Sequence, residues 1–344
     1  MSRETEIGDS DALSIDARNV HLTYSDGTEA VKGISLKVPR GEFFGFLGPN
    51  GAGKTTFIKI LVTLLKPTEG EVHVNGFELG KESQAIRETI GYMDQETRVD
   101  KELTAQENVR FACEAYGVPR EERENRIEEL LDLVELSEVA DKKAGDFSGG
   151  MKKRLDVATT LVHEPSLIFL DEPTTGLDPK SRKKLWEYFE RINRRGRTIF
   201  LTTQYLEEAD QLCDRIAVIQ NGEIIATDSP ANLKQRVGGH ILEIELADDG
   251  ETKDRAADIA RNADIFDDVK VDVTGEGINV GSNKIQNRGA DLLVKLRDSD
   301  IPIRGFNLHE PTLDDIFLTI TGERVSTDGE EAEPDRVDTS EENK

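Results

Sequence analysis

Short strand-like runs and helix-like segments alternate along the first 240 residues of the chain. Alternating apolar and polar residues predict strands in the N-terminal part, at 15–24, 31–38, 42–47 and 70–77. Two continuously apolar runs, 166–170 and 198–202, are typical of buried parallel strands, and the segment 179–193 between them predicts a helix that begins with proline. Apolar residues spaced three and four apart predict further helices over 55–65 and 104–136. Strands that alternate with helices predict a parallel α/β core.

A second, smaller unit is predicted after the glycine pair Gly238-Gly239. The hydrophobic pattern predicts a strand, a helix, two strands, a helix and a strand, at 241–246, 253–262, 267–273, 277–280, 287–297 and 303–308. This β-α-β-β-α-β order is typical of a ferredoxin-like α+β domain. We expect a final helix over 311–321 to close it.

Composition excludes several classes of protein. The 344 residues suffice for two domains of roughly 150 residues each. The formal net charge of −25 argues against nucleic acid as a ligand, because phosphate backbones are bound by basic surfaces. No apolar run approaches the roughly 20 residues that a membrane-spanning helix needs. Cys113 and Cys213 form no CxxC pattern, so we expect two buried thiols in a reducing cytosol.

Acidic residues are spread along the whole chain. The two ends, 1–14 and 323–344, are acidic and predicted to be disordered. From Thr321 onward there are nine acidic and three basic residues, which supply only −6 of the net charge of −25. The remaining acidic surface repels itself in ordinary salt, and molar salt screens this repulsion by shortening the Debye length to about 3 Å. The pattern resembles proteins of salt-accumulating halophiles and favours a haloarchaeal source, with an acidic mesophilic protein as the alternative.

A glycine-rich loop lies between the predicted strand 42–47 and the predicted helix 55–65. It matches G-x-x-x-x-G-K-[ST] and consists of Gly48, Pro49, Asn50, Gly51, Ala52, Gly53, Lys54 and Thr55. Glycines allow the backbone to curl so that successive N–H groups face a polyphosphate, to which the helix N-terminus adds its positive end. In this pattern Lys54 reaches the β and γ phosphates, Thr55 ligates Mg²⁺ and Thr56 adds a phosphate contact. The loop and its flanking elements predict a nucleotide site.

A carboxylate on the magnesium side is expected to accompany such a loop. The apolar run 166–170 leads directly into Asp171 and Glu172. Asp171 is predicted to hold Mg²⁺ through water, and Glu172 to take a proton from an attacking water. An apolar strand that ends in two acidic residues is unspecific alone, and it becomes informative only beside the nucleotide loop.

A third motif precedes this strand. Phe147-Ser148-Gly149-Gly150-Met151 is predicted to begin a helix, where Ser148 and the amides of Gly149 and Gly150 can cap a γ-phosphate. With this motif between the other two, the chain resembles the ABC transporter ATPase family over about residues 15–235. The resemblance implies that these three residues bind ATP held by the other subunit of a dimer. The family prefers Leu and Gln at Phe147 and Met151, a variation that we expect to be tolerated.

Three further residues match positions of this family. The resemblance implies that Tyr24 stacks on adenine, and that Gln95 contacts Mg²⁺ and links the nucleotide to a helical subdomain. It also implies that Asp178, in Gly176-Leu177-Asp178, crosses to the partner subunit. A structural role is the alternative for each: packing for Tyr24, a solvated loop for Gln95 and a simple turn for Asp178.

One position departs from the wider family. Where the family places a histidine that senses the γ-phosphate, after the predicted strand 198–202, this chain has Gln204. Glutamine can donate an amide hydrogen bond to phosphate, but it cannot take up a proton or carry a charge. The segments 201–216 and 310–322 resemble the drug-export branch typified by daunorubicin-resistance ATPases, whose members share this glutamine. The resemblance implies that Gln204 belongs to the catalytic residues with Glu172 and Lys54, and slowed or altered hydrolysis is the alternative.

The resemblance also implies a fold and a domain order. The fold is that of a P-loop NTPase: an ABC ATPase domain over 15–239 with a parallel-sheet core, an antiparallel β subdomain and a helical subdomain at about 95–160. A small C-terminal α+β domain over 240–322 follows it, and it offers no catalytic constellation.

The implied function is that of an ATP-hydrolysing subunit of an ABC exporter. Its cofactors are ATP and Mg²⁺, and its partners are a second copy in a homodimer and a separate ABC-2 type membrane permease that holds it on the cytoplasmic face of the membrane. The permease is expected to dock on 95–136. An importer ATPase and an ATP-binding regulatory module with weak turnover are the alternatives. A soluble ABC ATPase acting on DNA or ribosomes would need tandem ATPase domains, a long coiled coil or a basic patch, none of which the sequence contains.

Overall fold

Three β-sheets organise the part of the chain that the computed structural model describes, residues 13–235, 240–246, 250–267, 269–313 and 315–317. The strands are β1 (Leu13–Thr23), β2 (Glu29–Pro39), β3 (Phe43–Leu47), β4 (Glu69–Val74), β5 (Phe77–Glu78), β6 (Ile90–Met93), β7 (Leu167–Asp171), β8 (Thr198–Thr203), β9 (Arg215–Gln220), β10 (Glu223–Asp228), β11 (His240–Leu246), β12 (Lys270–Val273), β13 (Gly277–Ser282) and β14 (Ile303–His309). The first sheet is antiparallel, with the order β2-β1-β4-β5.

The central sheet has the order β10-β9-β3-β8-β7-β6, in which only β10 is antiparallel to its neighbour among the described strands. β3, β7 and β8 are buried along their whole length because both faces of the sheet are covered, and this explains their continuously apolar sequences. On β3, Phe44 and Phe46 pack into one hydrophobic cluster, while Phe43 and Leu47 pack into the cluster on the opposite face. The predicted parallel α/β core is confirmed.

Helices cover the sheets. They are α1 (Lys54–Leu61), α2 (Ser83–Thr89), α3 (Ala105–Ala115), α4 (Arg123–Leu133), α5 (Gly149–Thr160), α6 (Pro179–Arg194), α7 (Leu206–Leu212), α8 (Pro230–Gln235), α9 (Gly250–Arg261) and α10 (Ile285–Asp298). In none of the described helices is there an apolar stretch long enough to cross a membrane.

Several predicted boundaries were wrong. The stretch 104–136 is not one helical run, because Gly117, with φ of 71°, and Pro119 separate α3 from α4. α1 ends at Leu61 rather than Leu65, two residues before Thr63 takes a left-handed conformation with φ of 68°. β1 begins at Leu13, inside the segment predicted to be disordered, since the buried Ser14 hydroxyl bonds Thr198 Oγ1 at 2.8 Å.

Elements without a strong pattern were missed. Helix α2 is absent from the predicted elements, as is the antiparallel pair β9 and β10, which turns at Asn221 and Gly222 with φ of 50° and 86°. The expected tails 1–12 and 323–344 lie outside the described residues, as do 314 and 318–321 of the predicted last helix.

The C-terminal unit is built from β11 to β14 with α9 and α10. Its antiparallel sheet has the order β12-β13-β11-β14, and the two helices pack on one face of it around Leu242, Ile244 and Leu292. The elements follow the β-α-β-β-α-β order that the pattern predicts. Beyond β14 the chain returns to the first domain, because Ile316 and Phe317 share a buried cluster with α6, α7 and α8.

Candidate active site

Parallel strands bring the predicted site residues to one edge of the central sheet. Met93 pairs with Leu170 and Asp171 pairs with Thr202, so β6, β7 and β8 end side by side. The residues that follow these strands include Gln95, Glu172 and Gln204, and the glycine-rich loop follows the neighbouring strand β3. The carboxyl edge of such a sheet is where nucleotides bind in open α/β folds.

The glycines of the loop are required by space as well as by conformation. A Cβ on Gly48 would lie 2.3 Å from the backbone oxygen of Ile219, and a Cβ on Gly53 would lie 2.4 Å from that of Ala30. Gly53 also has φ of 106° and occupies the N-cap of α1. Only glycine lets the loop pass this close to β2 and β9 and turn into the helix.

Lys54 is the first residue of α1, directly after the loop glycine Gly53. Its Nζ donates hydrogen bonds to the backbone oxygens of Gly48 at 2.8 Å and Pro49 at 3.1 Å, and it lies 3.9 Å from Glu172 Oε1. Burial lowers the pKa of Lys54, while the charges of Glu172 and Asp171 oppose this shift. The ammonium is thus held between the loop and the two carboxylates, where it can meet a phosphate.

Asp171 ends β7 and is buried, with 1% of its surface exposed. Its Oδ1 accepts hydrogen bonds from Thr202 Oγ1 at 2.6 Å and Thr55 Oγ1 at 3.4 Å, but its buried Oδ2 has no partner among the described residues. Burial raises the pKa of Asp171, and the hydroxyls of Thr202 and Thr55 lower it in part. A buried carboxylate oxygen without a partner, beside a threonine hydroxyl, is a donor set suited to Mg²⁺.

Glu172 has an unusual backbone. Its φ of 46° places it in the left-handed region, where a non-glycine residue is uncommon. Its N–H donates to the backbone oxygen of Thr202 at 3.0 Å, which anchors the turn. Its Oε2 accepts long contacts of 3.4 Å from Gln95 Nε2 and from Thr175 Oγ1. The turn directs the carboxylate towards the loop and holds it there with donors from two directions.

Lys54 and Glu172 line one cleft of about 510 Å³. Tyr24 stands at its rim, 39% exposed, with its hydroxyl 3.1 Å from Thr56 Oγ1. Half-buried Gln204 also lines the cleft. The predicted site residues among its lining are Tyr24, Asn50, Gly51, Gly53, Lys54, Thr55, Thr56, Gln95, Glu172 and Gln204.

Four of the other predicted residues form a second, exposed face of the chain. Ser148 is the N-cap of α5, and its Oγ accepts a hydrogen bond from the Met151 N–H at 3.2 Å. Asp178 is the N-cap of α6, and its carboxylate accepts one from Ser181 Oγ at 2.6 Å. A Cβ on Gly150 would lie 2.8 Å from that Ser181 hydroxyl, so the two helix N-termini meet. This face of Ser148, Gly149, Gly150 and Asp178 lies outside the lining of the cleft.

Two threonines of the site were missed in the sequence. Thr202 contacts Asp171, and Thr175 contacts Glu172. Thr202 lies 31 residues from its partner, so it could have been found only by aligning the ends of the predicted parallel strands. Thr175 is three residues after Glu172, in a turn without a distinctive pattern.

Comparison with known proteins identifies the family. Residues 31–175 match the ABC transporter family, and residues 229–321 match the C-terminal domain of DrrA1-3-like ATP-binding proteins. The chain is 36% identical over 94% of its length to the daunorubicin resistance ATP-binding protein DrrA2 of Streptomyces coeruleorubidus, of which it covers 99%. The chain belongs to the ABC transporter ATP-binding subunits. This ABC ATPase is also 36% identical to the linearmycin resistance ATP-binding protein LnrL of Bacillus subtilis, over 90% of its own chain and 98% of that protein.

Solved structures agree with the fold. A dimeric ATP-binding cassette in a post-hydrolysis state, bound to ADP and phosphate, is 32% identical to this ABC ATPase with a TM-score of 0.58, covering 62% of this chain and 98% of that one. The predicted P-loop NTPase fold of the ABC type is confirmed. The relatives are resistance subunits, so the chain is the ATPase subunit of an exporter.

Proposed function

We propose that two copies of this chain close around two ATP molecules, and that each nucleotide lies between the cleft of one copy and the Ser148 face of the other. The observation that carries the proposal is the separation of two complete half-sites on one chain. The cleft holds Lys54 and Glu172, whereas Ser148 and Asp178 cap two exposed helix N-termini outside its lining, and the amides of Gly149 and Gly150 at the first of these can donate to an anion. The solved relative with ADP and phosphate is described as a dimer.

In this arrangement the cleft residues bind ATP, orient the attacking water and accept its proton. Lys54 and the loop amides hold the β and γ phosphates of ATP, and Tyr24 packs against the adenine ring. Glu172 takes a proton from the water that attacks the γ-phosphate, while Gln95 and Gln204 donate amide hydrogen bonds that orient this water and the phosphate. The bond from the γ-phosphorus to the bridging oxygen breaks, leaving ADP and phosphate.

Mg²⁺ fits the donor set at Asp171. Thr55 supplies a hydroxyl, Gln95 an amide oxygen, and the unpartnered Oδ2 of Asp171 a carboxylate oxygen that would hold the ion through water. When bound, the ion would neutralise charge on the phosphates. The chain's own contribution is to fix Asp171 through Thr202.

A mixing experiment tests the composite sites. Lys54→Met removes the phosphate ammonium, and Ser148→Arg fills the opposite face, so each variant alone should lose nearly all ATPase activity. In a mixed dimer the Lys54 of one chain meets the Ser148 of the other, which leaves one intact site. An equal mixture should therefore recover up to about a quarter of wild-type turnover, the value for sites that act independently, and less where the two sites are coupled. The measurement is phosphate release at a fixed total protein concentration.

The matched control is Lys54→Met mixed with the double variant Lys54→Met/Ser148→Arg, which forms no intact site and should stay inactive. An inactive mixture of the two single variants, with mixed dimers detected by a tag on one chain, would contradict the composite site.

A second cleft, of about 490 Å³, suits the permease. It lies between α3, α4 and the end of α5 and is lined by Tyr116, Pro119, Glu122, Arg126 and His163. The Tyr116 ring stacks on His163 with centroids 3.9 Å apart, and is still half exposed. Arg126 Nη2 donates a hydrogen bond of 2.7 Å to the backbone oxygen of Leu161, which fixes this side of the cleft. We expect an ABC-2 type permease to insert a cytoplasmic segment here, since an exposed aromatic in a groove is a typical anchor site.

The substitution Tyr116→Glu tests this docking. It should leave the ATPase rate of the isolated chain unchanged, because Tyr116 lies outside the nucleotide cleft. It should abolish the stimulation of that rate by permease reconstituted in vesicles, and Tyr116→Phe should retain it. Normal stimulation of the Tyr116→Glu chain would contradict docking in this cleft.

The acidic surface supports a further proposal, that the protein functions at molar salt as halophile proteins do. Dimer closure brings two chains of net charge −25 together, so their repulsion is greatest when screening is weak. Closure that is equally efficient in low and in molar KCl would contradict it.

A further inference from the structure

A buried lysine on α5 contacts the loop that carries Gln95. Lys153 is only 6% exposed, and its Nζ donates a hydrogen bond of 2.5 Å to the backbone oxygen of Gln95. The side chain of Gln95 in turn donates to Glu172 Oε2 at 3.4 Å. One contact thus joins the helix that presents Ser148 at its N-cap to the loop that faces Glu172.

Asp156 lies three residues further along α5 and faces the same loop. It is 4% exposed, and burial raises its pKa to about 6, while the Lys153 ammonium and the Arg98 backbone amide favour its charged form. Burial lowers the pKa of Lys153, opposed by the charges of Asp156, Asp94 and Asp171. Burying two opposite charges near each other contributes little net stability compared with apolar residues of the same volume. The free energy of folding therefore does not account for an ammonium at this position.

The geometry points to Lys153 as a positioning residue of the ATPase reaction. We propose that it holds Gln95 against Glu172 and makes the position of Ser148 depend on the nucleotide at the chain's own site. The inference rests on the roles proposed above for Gln95 and Ser148. When Gln95 moves towards bound nucleotide, its backbone oxygen pulls Lys153 with it. Because α5 is continuous over 12 residues, it transmits this movement to Ser148 at its N-cap. The two sites of a dimer are thereby coupled through one helix in each copy.

The test is Lys153→Met, which keeps the unbranched apolar stem and removes the donor. We expect kcat to fall about tenfold or more, because the position of Gln95 relative to Glu172 is no longer fixed. KM for ATP should stay within about twofold of wild type, since Lys153 lies outside the lining of the nucleotide cleft. The Hill coefficient for ATP should fall towards 1.

Lys152→Met is the matched control. Lys152 is the preceding residue of α5, and its Nζ bonds the backbone oxygen of Gly145 at 3.2 Å, away from Gln95. This variant should keep the wild-type kcat and Hill coefficient. Both variants are assayed as full-length chains by phosphate release with saturating Mg²⁺, and their thermal unfolding is recorded.

Because Lys153→Met leaves Asp156 without its buried cation, Lys153→Met/Asp156→Asn is measured beside it. A low kcat with normal KM in a folded variant supports the proposal. Wild-type kcat and Hill coefficient in either folded variant overturn it, as does a rise in KM alone. Failure of both variants to fold also overturns it, because the pair is then structural. Glu172→Gln in the same assay distinguishes failure of the Lys153 proposal from failure of the proposed function. Retained turnover in Glu172→Gln would contradict the roles proposed for the cleft residues, independently of the result for Lys153.

Discussion

Glu172→Gln should reduce ATP hydrolysis by about 100-fold or more while leaving nucleotide binding intact. The carboxamide keeps the size of the side chain and can keep the contacts to Gln95 and Thr175, but it cannot accept the proton of the attacking water. A closed dimer that cannot hydrolyse its ATP should then accumulate. Size exclusion with Mg²⁺ and ATP should show a dimer of this variant that is absent without ATP, and a larger dimer fraction in molar than in low KCl.

Glu207→Gln is the matched control for this variant. It makes the same change of charge on an exposed residue in the first turn of α7, and should neither slow hydrolysis nor trap a dimer. Thr175→Val removes one donor to the Glu172 carboxylate and should slow hydrolysis only several-fold. A Glu172→Gln chain that binds ATP but stays monomeric in every salt would disprove the homodimer and indicate a different partner subunit.

Gly53→Ala should weaken ATP binding by about 100-fold or more. The added methyl would lie 2.4 Å from the backbone oxygen of Ala30, and the residue would also keep a φ of 106°. The oxygen belongs to β2 and cannot move aside as a flexible side chain can, so the loop must shift and carry Lys54 away from the phosphates. Calorimetric titration with Mg²⁺ and ATP measures the affinity.

Gly51→Ala provides the comparison within the same loop. Gly51 has φ of 79°, but a Cβ there would meet no atom within 4 Å, so the variant carries only the cost of a left-handed alanine, about 1–2 kcal/mol. Its affinity should fall by about 30-fold or less. Equal losses in the two variants would show that backbone conformation, rather than the close approach to Ala30, demands glycine in this loop.

The sequence alone supports three strands of the central sheet, β3, β7 and β8, and part of the site. Lys54 and Thr55 are predictable because a local chain segment supplies both the donors and the turn that presents them. Asp171 and Glu172 follow from an apolar strand that must be buried on both faces. These are short-range features, and the structure places them at the same sheet edge as expected from parallel strands.

The rest of the site depends on contacts between distant segments. Thr202 reaches Asp171 through the register of β7 and β8, and Lys153 reaches Gln95 across 58 residues. The left-handed backbone of Glu172 has no counterpart in composition or periodicity. The helical pattern over 104–136 predicted one continuous helical stretch because the apolar spacing continues on both sides of Gly117 and Pro119. In the structure these two residues separate α3 from α4.

The return of the chain after β14 has a consequence for synthesis. Ile316 and Phe317 fill part of the hydrophobic cluster of the ATPase half, although the whole C-terminal unit separates them from it along the chain. A ribosome delivers residues in chain order, so the ATPase half emerges before the residues that complete its hydrophobic cluster. The ATPase half can therefore complete its hydrophobic packing only after the C-terminal unit has been translated.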